Sequence, residues 1–164
     1  MATETFELIS STTLGSSSAT FEITGFPTDG SYSISIRPIQ NGSSDSWIRL
    51  NNQTSLTHYM TYMYGANGSG SRSGWESGTG KVVLNKQGYS ESNPDVVWNL
   101  ETVALGVSFD QIVTGHSMKY NQKSELFAVS APGVTSLNSI KIGLNNAAHS
   151  YSAGTTIDIY KLTR

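Results

Sequence analysis

The side chains with chemical potential in this chain are few and widely spaced. His58, His116 and His149 lie far apart, with no His-x-His or His-Glu-x-x-His pair to set two imidazoles on one face for a metal. They are expected at the surface or in an interface. Gly74-Trp75-Glu76-Ser77-Gly78-Thr79-Gly80-Lys81 ends like a phosphate loop. That loop needs Gly, four residues, then Gly-Lys-Ser/Thr, so that backbone amides and Lys surround the phosphates. Here Trp75 stands where the first Gly belongs, and Val82 follows Lys81 in place of a hydroxyl. The 12 carboxylates form no informative pair, and no Gly-x-Ser-x-Gly elbow is present. Asn93 and Asp95 lack the frame of a calcium loop. With no cysteine there is neither a disulfide nor a thiolate site. The pattern predicts no enzyme, no cofactor and no bound metal.

Aromatic side chains carry the stronger signal, and it is one of binding. Gly65–Gly80 is an almost unbroken Gly/Ser/Asn stretch, expected to be a long loop, that holds Arg72, Trp75 and Glu76. A tryptophan in such a stretch, flanked by both charges, could stack on a sugar or anchor a protein contact. Just before it, a strand over His58–Tyr64 would put His58, Met60, Tyr62 and Tyr64 on one face and Tyr59, Thr61 and Met63 on the other. Both faces are partly apolar, so this strand is expected either within the core or against a second subunit. Arg72, Trp75, Glu76, Tyr62 and Tyr64 are the candidate partner-binding residues.

These residues must be positioned by a β framework. Ser, Thr, Gly and Asn make up roughly two-fifths of the 164 residues, yet 8 Tyr, 5 Phe and 3 Trp can fill an interior and the net charge is only -2. The length suits one domain over 1–164. Short runs alternate apolar and polar residues between turn signals: Phe21 and Ile23; Tyr32, Ile34 and Ile36; Ile140, Ile142 and Leu144; Ile157 and Ile159. Further strands are expected in Phe6–Thr13, Ser46–Leu50, Thr57–Tyr64, Lys81–Leu84, Val96–Val107 and Ser124–Val129. Turn chemistry falls between them at Asp29-Gly30, Asn41-Gly42, Asn67-Gly68, Asn93-Pro94, Pro132-Gly133 and Asn145-Asn146. The result is an all-β fold, an antiparallel β-sandwich of jelly-roll type with about eight to ten strands. Phe21, Ile23, Tyr32, Ile34, Ile36, Ile140, Ile142, Ile157 and Ile159 are its expected core.

The ten Lys and Arg are scattered along the sequence, which gives little attraction to nucleic acid. The opening residues lack a basic, apolar leader pattern, and no run approaches a membrane helix.

The opening Phe6-Glu7-Leu8-Ile9-Ser10-Ser11-Thr12-Thr13-Leu14-Gly15-Ser16-Ser17, with Ala19, Phe21 and Phe26-Pro27, resembles small β-rich structural proteins of tailed bacteriophages. Ile34-Ser35-Ile36-Arg37, Ile48-Arg49-Leu50-Asn51 and the closing Ala153-Gly154-Thr155-Thr156-Ile157-Asp158-Ile159-Tyr160 continue the likeness. The segment from Asn52 to Ser136 departs from it, and Lys161 stands where those proteins often carry Gly. The resemblance implies a virion protein, assembled in the host cytoplasm. It would be a capsid decoration (cement) protein contacting the major capsid protein or other virion proteins without covalent chemistry, and homotrimeric. The alternative is a tail or head-fibre tip that attaches to a host receptor or glycan. The resemblance assigns no catalytic or binding residue.

Overall fold

The structure, a computed structural model, describes residues 5–26, 31–41, 43–66, 70–90, 96–103, 112–119 and 123–163. Fourteen strands lie among them: β1 (Thr5–Thr13), β2 (Thr20–Thr24), β3 (Tyr32–Arg37), β4 (Gln40–Asn41), β5 (Ser43–Leu50), β6 (Thr57–Ala66), β7 (Gly70–Thr79), β8 (Val82–Ser90), β9 (Val96–Val103), β10 (Ile112–Lys119), β11 (Lys123–Ser130), β12 (Ser139–Leu144), β13 (Ser150–Tyr151) and β14 (Thr156–Thr163). An eight-stranded sheet runs β1-β14-β3-β9-β10-β11-β6-β7, a four-stranded sheet runs β2-β12-β5-β8, and β13 pairs with β4. Every pairing is antiparallel.

The period-two runs dictate which face is inside. Tyr32, Ile34 and Ile36 on β3 and Ile157 and Ile159 on β14 point inward from the large sheet, and Phe21, Ile23, Ile140 and Ile142 point inward from the small one. All nine expected core residues are buried, none more than 6% exposed. They belong to one apolar cluster that includes Ile48, Leu50, Met60, Val113, Val129 and Tyr151, so the two large sheets share a single core. The Tyr151 ring meets Phe21 edge-on at 4.9 Å, and its hydroxyl lies 3.1 Å from Ser46 Oγ. Burial pushes the Tyr151 phenol well above its ordinary pKa.

The strands exceed the expected eight to ten because β4, β7, β10 and β13 carry weak sequence signals. β4 and β13 are two residues long each. The largest correction is Gly65–Gly80, expected as a loop: ten of its residues form the edge strand β7, paired with β6 from Thr57↔Thr79 to Ala66↔Gly70. Glycine costs a strand backbone entropy and side-chain packing, and here a cross-strand ring compensates. The Tyr62 ring lies over Gly74, which it faces in register, and a Cβ at Gly74 would press on its hydroxyl. The same device recurs where Phe127 covers Gly115 and where Trp47 covers Gly143.

The connection from β5 to β6 takes the chain from the small sheet to the large one. It turns at Asn51 and Asn52, consecutive residues with φ of 51° and 53°, a conformation asparagine tolerates better than most residues. Asn51 Oδ1 accepts from the backbone N–H groups of Asn138 (2.7 Å) and Ser139 (3.1 Å), tying this turn to the entry of β12. His58, expected at the surface or in an interface, is instead fully buried at the start of β6. Its Nε2 accepts from the Leu50 backbone N–H at 3.1 Å, and its Nδ1–H donates to the Leu56 carbonyl at 3.1 Å. That arrangement fixes a neutral tautomer. Burial, with a smaller contribution from the Arg49 charge, holds its pKa below the ordinary 6.5. His58 is a strut between the sheets.

Candidate binding face on the eight-stranded sheet

Four neighbouring strands, β7, β6, β11 and β10, present three rows of side chains on the face away from the core. The first row is Ser77, Tyr59, Ser130 and Ile112; the second is Trp75, Thr61, Ala128 and Thr114. The third is Ser73, Met63 and Leu126, ending at the register position of His116, whose side chain lies outside the described residues. Rows on one face of a strand are ~7 Å apart and strands ~4.8 Å apart, so the twelve positions form a compact field. Thr61 and Ala128 in the middle row are small, while Tyr59 and Ile112 in the first row and Trp75 at the end of the middle row stand taller. The difference leaves a groove of about 290 Å³, bordered by Tyr59, Thr61, Trp75, Ile112, Ala128 and Ser130.

This face sets large apolar side chains among its Ser and Thr, where a solvated sheet face is ordinarily polar. Trp75 is 72% exposed, Met63 53%, Leu126 49% and Tyr59 44%. The other large exposed hydrophobic side chains among the described residues, Phe6, Leu8 and Ile9, all lie on β1, the opposite edge of the same sheet. A register shift between Leu8 and Ser10 accompanies this edge. Aromatic rings bordered by the Thr61 and Ser130 hydroxyls can stack on a ligand and hydrogen-bond to its periphery.

The strand pleat separates the five residues expected to act together. Trp75 faces outward with Tyr59, Thr61 and Met63. Tyr62, Gly74, Met60 and Glu76 occupy register positions of the opposite, core-side face, and Tyr62 is half-buried against the core. Tyr64 and Arg72 pair with each other in register, and their side chains lie outside the described residues. Tyr59, Met63 and Leu126 therefore join Trp75. The alternation within His58–Tyr64 already placed Tyr59 and Met63 on one face, but only the pairing of β11 with β6 brings Leu126 beside them.

The scattered cations also change on folding. Lys141 and Arg49 face each other in register, and Lys81 follows in the same row beside Trp47. His149 meets the Asn41 carbonyl through Nδ1 at 2.9 Å. Among the described residues no three His, Asp or Glu side chains converge as a metal site would need. Comparison with known proteins found no match for this chain among family models, curated proteins or solved structures.

Proposed function

We propose that this chain is a bacteriophage virion structural protein of jelly-roll-like sandwich architecture, a capsid decoration protein that binds the shell non-covalently. The observation that carries this reading is the placement of the exposed apolar side chains at the two opposite ends of one sheet. Tyr59, Met63, Trp75 and Leu126 lie at one end, and Phe6, Leu8 and Ile9 at the other. Contiguous exposed apolar surface marks an interaction site, and the sequence likeness to phage structural proteins supplies the kind of partner. Two separate patches per copy allow two kinds of contact, one between copies and one with the shell, and a head-to-tail contact between copies closes into a ring when the rotation permits. A homotrimer would use β1 of one copy against a neighbour and leave the Trp75 face for the shell. Modest contacts repeated over a lattice then act through avidity.

A second reading, a tail or head-fibre tip that attaches to a host glycan, draws on the groove beside Trp75 and Tyr59, where rings and hydroxyls meet. Co-sedimentation with purified capsids tests the first reading. The wild-type protein is expected to pellet with the shell and the Trp75→Ala variant to do so weakly. Retention on host envelope glycans with no capsid binding would overturn the first reading in favour of the second. Solution mass across a concentration series tests the trimer.

A further inference from the structure

The outward face of the four-stranded sheet carries a charge pattern that folding alone does not explain. Lys141 on β12 stands opposite Glu22 on one side and Arg49 on the other. Ile48 pairs with Val82, so the next position in the same row, opposite Arg49, falls to Lys81 at the entry to β8. The row reads Glu22, Lys141, Arg49, Lys81, with three cations side by side across about 10 Å. Like charges directly opposite on a sheet oppose folding. Yet three of the chain's ten Lys and Arg are gathered here.

Neutral groups hold two of these cations, Arg49 and Lys81, in place. The Arg49 guanidinium lies 5.1 Å and the Lys81 ammonium 5.0 Å from the centroid of the Trp47 ring. Trp47 is buried over the gap left by Gly143, and its indole N–H donates to the Leu144 carbonyl at 3.1 Å. Arg49 Nε donates to the Gly80 carbonyl (2.5 Å) and Lys81 Nζ to Asn145 Oδ1 (3.1 Å). Glu22, at the end of the row, accepts from the Asn52 amide. Burial and the neighbouring Arg49 charge both hold the Lys81 ammonium below its ordinary pKa. Arg49 and Lys81 are thus held close together, and among the described residues no carboxylate is bonded to either.

We propose that this row is a docking site for an acidic, extended segment of a partner protein that presents carboxylates at alternate positions. Alternate side chains of an extended chain are ~7 Å apart on one face, so two carboxylates fit within the ~10 Å span. Each can then meet two neighbouring cations, with Arg49 shared between them. Arg49 has committed Nε to Gly80, which leaves its terminal amino groups for such a contact. The complementarity is confined to one short row on a chain of net charge -2, whereas a phosphate polymer is tracked by a longer basic stripe. This site is separate from the Trp75 face and does not depend on the capsid reading.

The test uses the full chain, isotope-labelled for NMR and titrated with the peptide acetyl-Thr-Glu-Thr-Glu-Thr-amide. Shifts are expected at the amides of Arg49, Lys81 and Lys141 and at the Trp47 indole N–H, weakening as salt is raised. A Lys81→Gln/Lys141→Gln double variant is expected to lose roughly tenfold in affinity, the effect of two modest ion pairs. Its Tm should be unchanged or raised, because like-charge contacts are relieved. The proposal is overturned if the peptide fails to bind, if the double variant binds equally well, or if the variant loses binding together with Tm. It is also overturned if a thymidine oligonucleotide of matched charge binds the row more tightly than the peptide.

Discussion

Replacing His58 with leucine separates two contributions that the buried imidazole makes. The side chain bridges the Leu50 N–H and the Leu56 carbonyl at 3.1 Å each, with no solvent exposure. Leucine fills similar space but takes the partner from the Leu50 N–H, while the Leu56 carbonyl keeps the bond it accepts from the Gly80 N–H at 2.8 Å. An orphaned buried donor costs ~1–3 kcal/mol, so the variant should lose about that much near neutral pH. The second contribution is pH-dependent. Burial lowers the folded-state pKa of His58 below the 6.5 of the exposed group. Between those two values the unfolded chain binds a proton that the folded chain refuses. Stability from this residue is therefore complete above 6.5 and falls as pH drops toward the folded pKa. The slope in that window is about 1.4 kcal/mol per pH unit. Urea unfolding of wild type and His58→Leu at a series of pH values reads both terms, since the other titrating groups are common to both proteins. The free-energy gap between the two should narrow on acidification below 6.5 and then level off. Parallel curves would show that the imidazole titrates alike in the folded and unfolded chains. A gap under about 0.5 kcal/mol near neutrality would refute the hydrogen-bonded strut itself.

Trp75→Ala should change stability by less than about 0.5 kcal/mol, because the side chain is 72% exposed, while partner attachment weakens; urea unfolding beside capsid and glycan binding checks both. Ile34→Ala and Ile157→Ala should each cost about 2–5 kcal/mol by urea denaturation, and near-neutral results at both would contradict the inward register of β3 and β14. Gly115→Val should lower Tm, because even a Cβ at that position collides with the Phe127 ring; the double variant Gly115→Val/Phe127→Ala should recover part of the loss.

The alternating runs were legible in the sequence because a buried sheet face imposes a period of two, and that period fixes which side chains point inward. Phe21, Ile34, Ile142 and Ile159 could thus be assigned to the core from local pattern alone. The exposure of Trp75 was legible too, though from an expected loop and not from the edge strand it occupies. β7 was not. Gly and Ser carry no alternation, and their strand conformation is imposed by the ladder from β6 and by the Tyr62 ring over Gly74. His58 looked unremarkable because its two partners, Leu50 and Leu56, are backbone groups whose positions depend on the turn between the sheets. The surface features are likewise products of register. Met63 and Leu126, and likewise Arg49, Lys81 and Lys141, become neighbours only through the pairing of strands distant in the chain. Local sequence determines which face a side chain takes, because that needs only the pleat. Which other side chains share its patch is decided by strand order, a long-range property that no local pattern encodes.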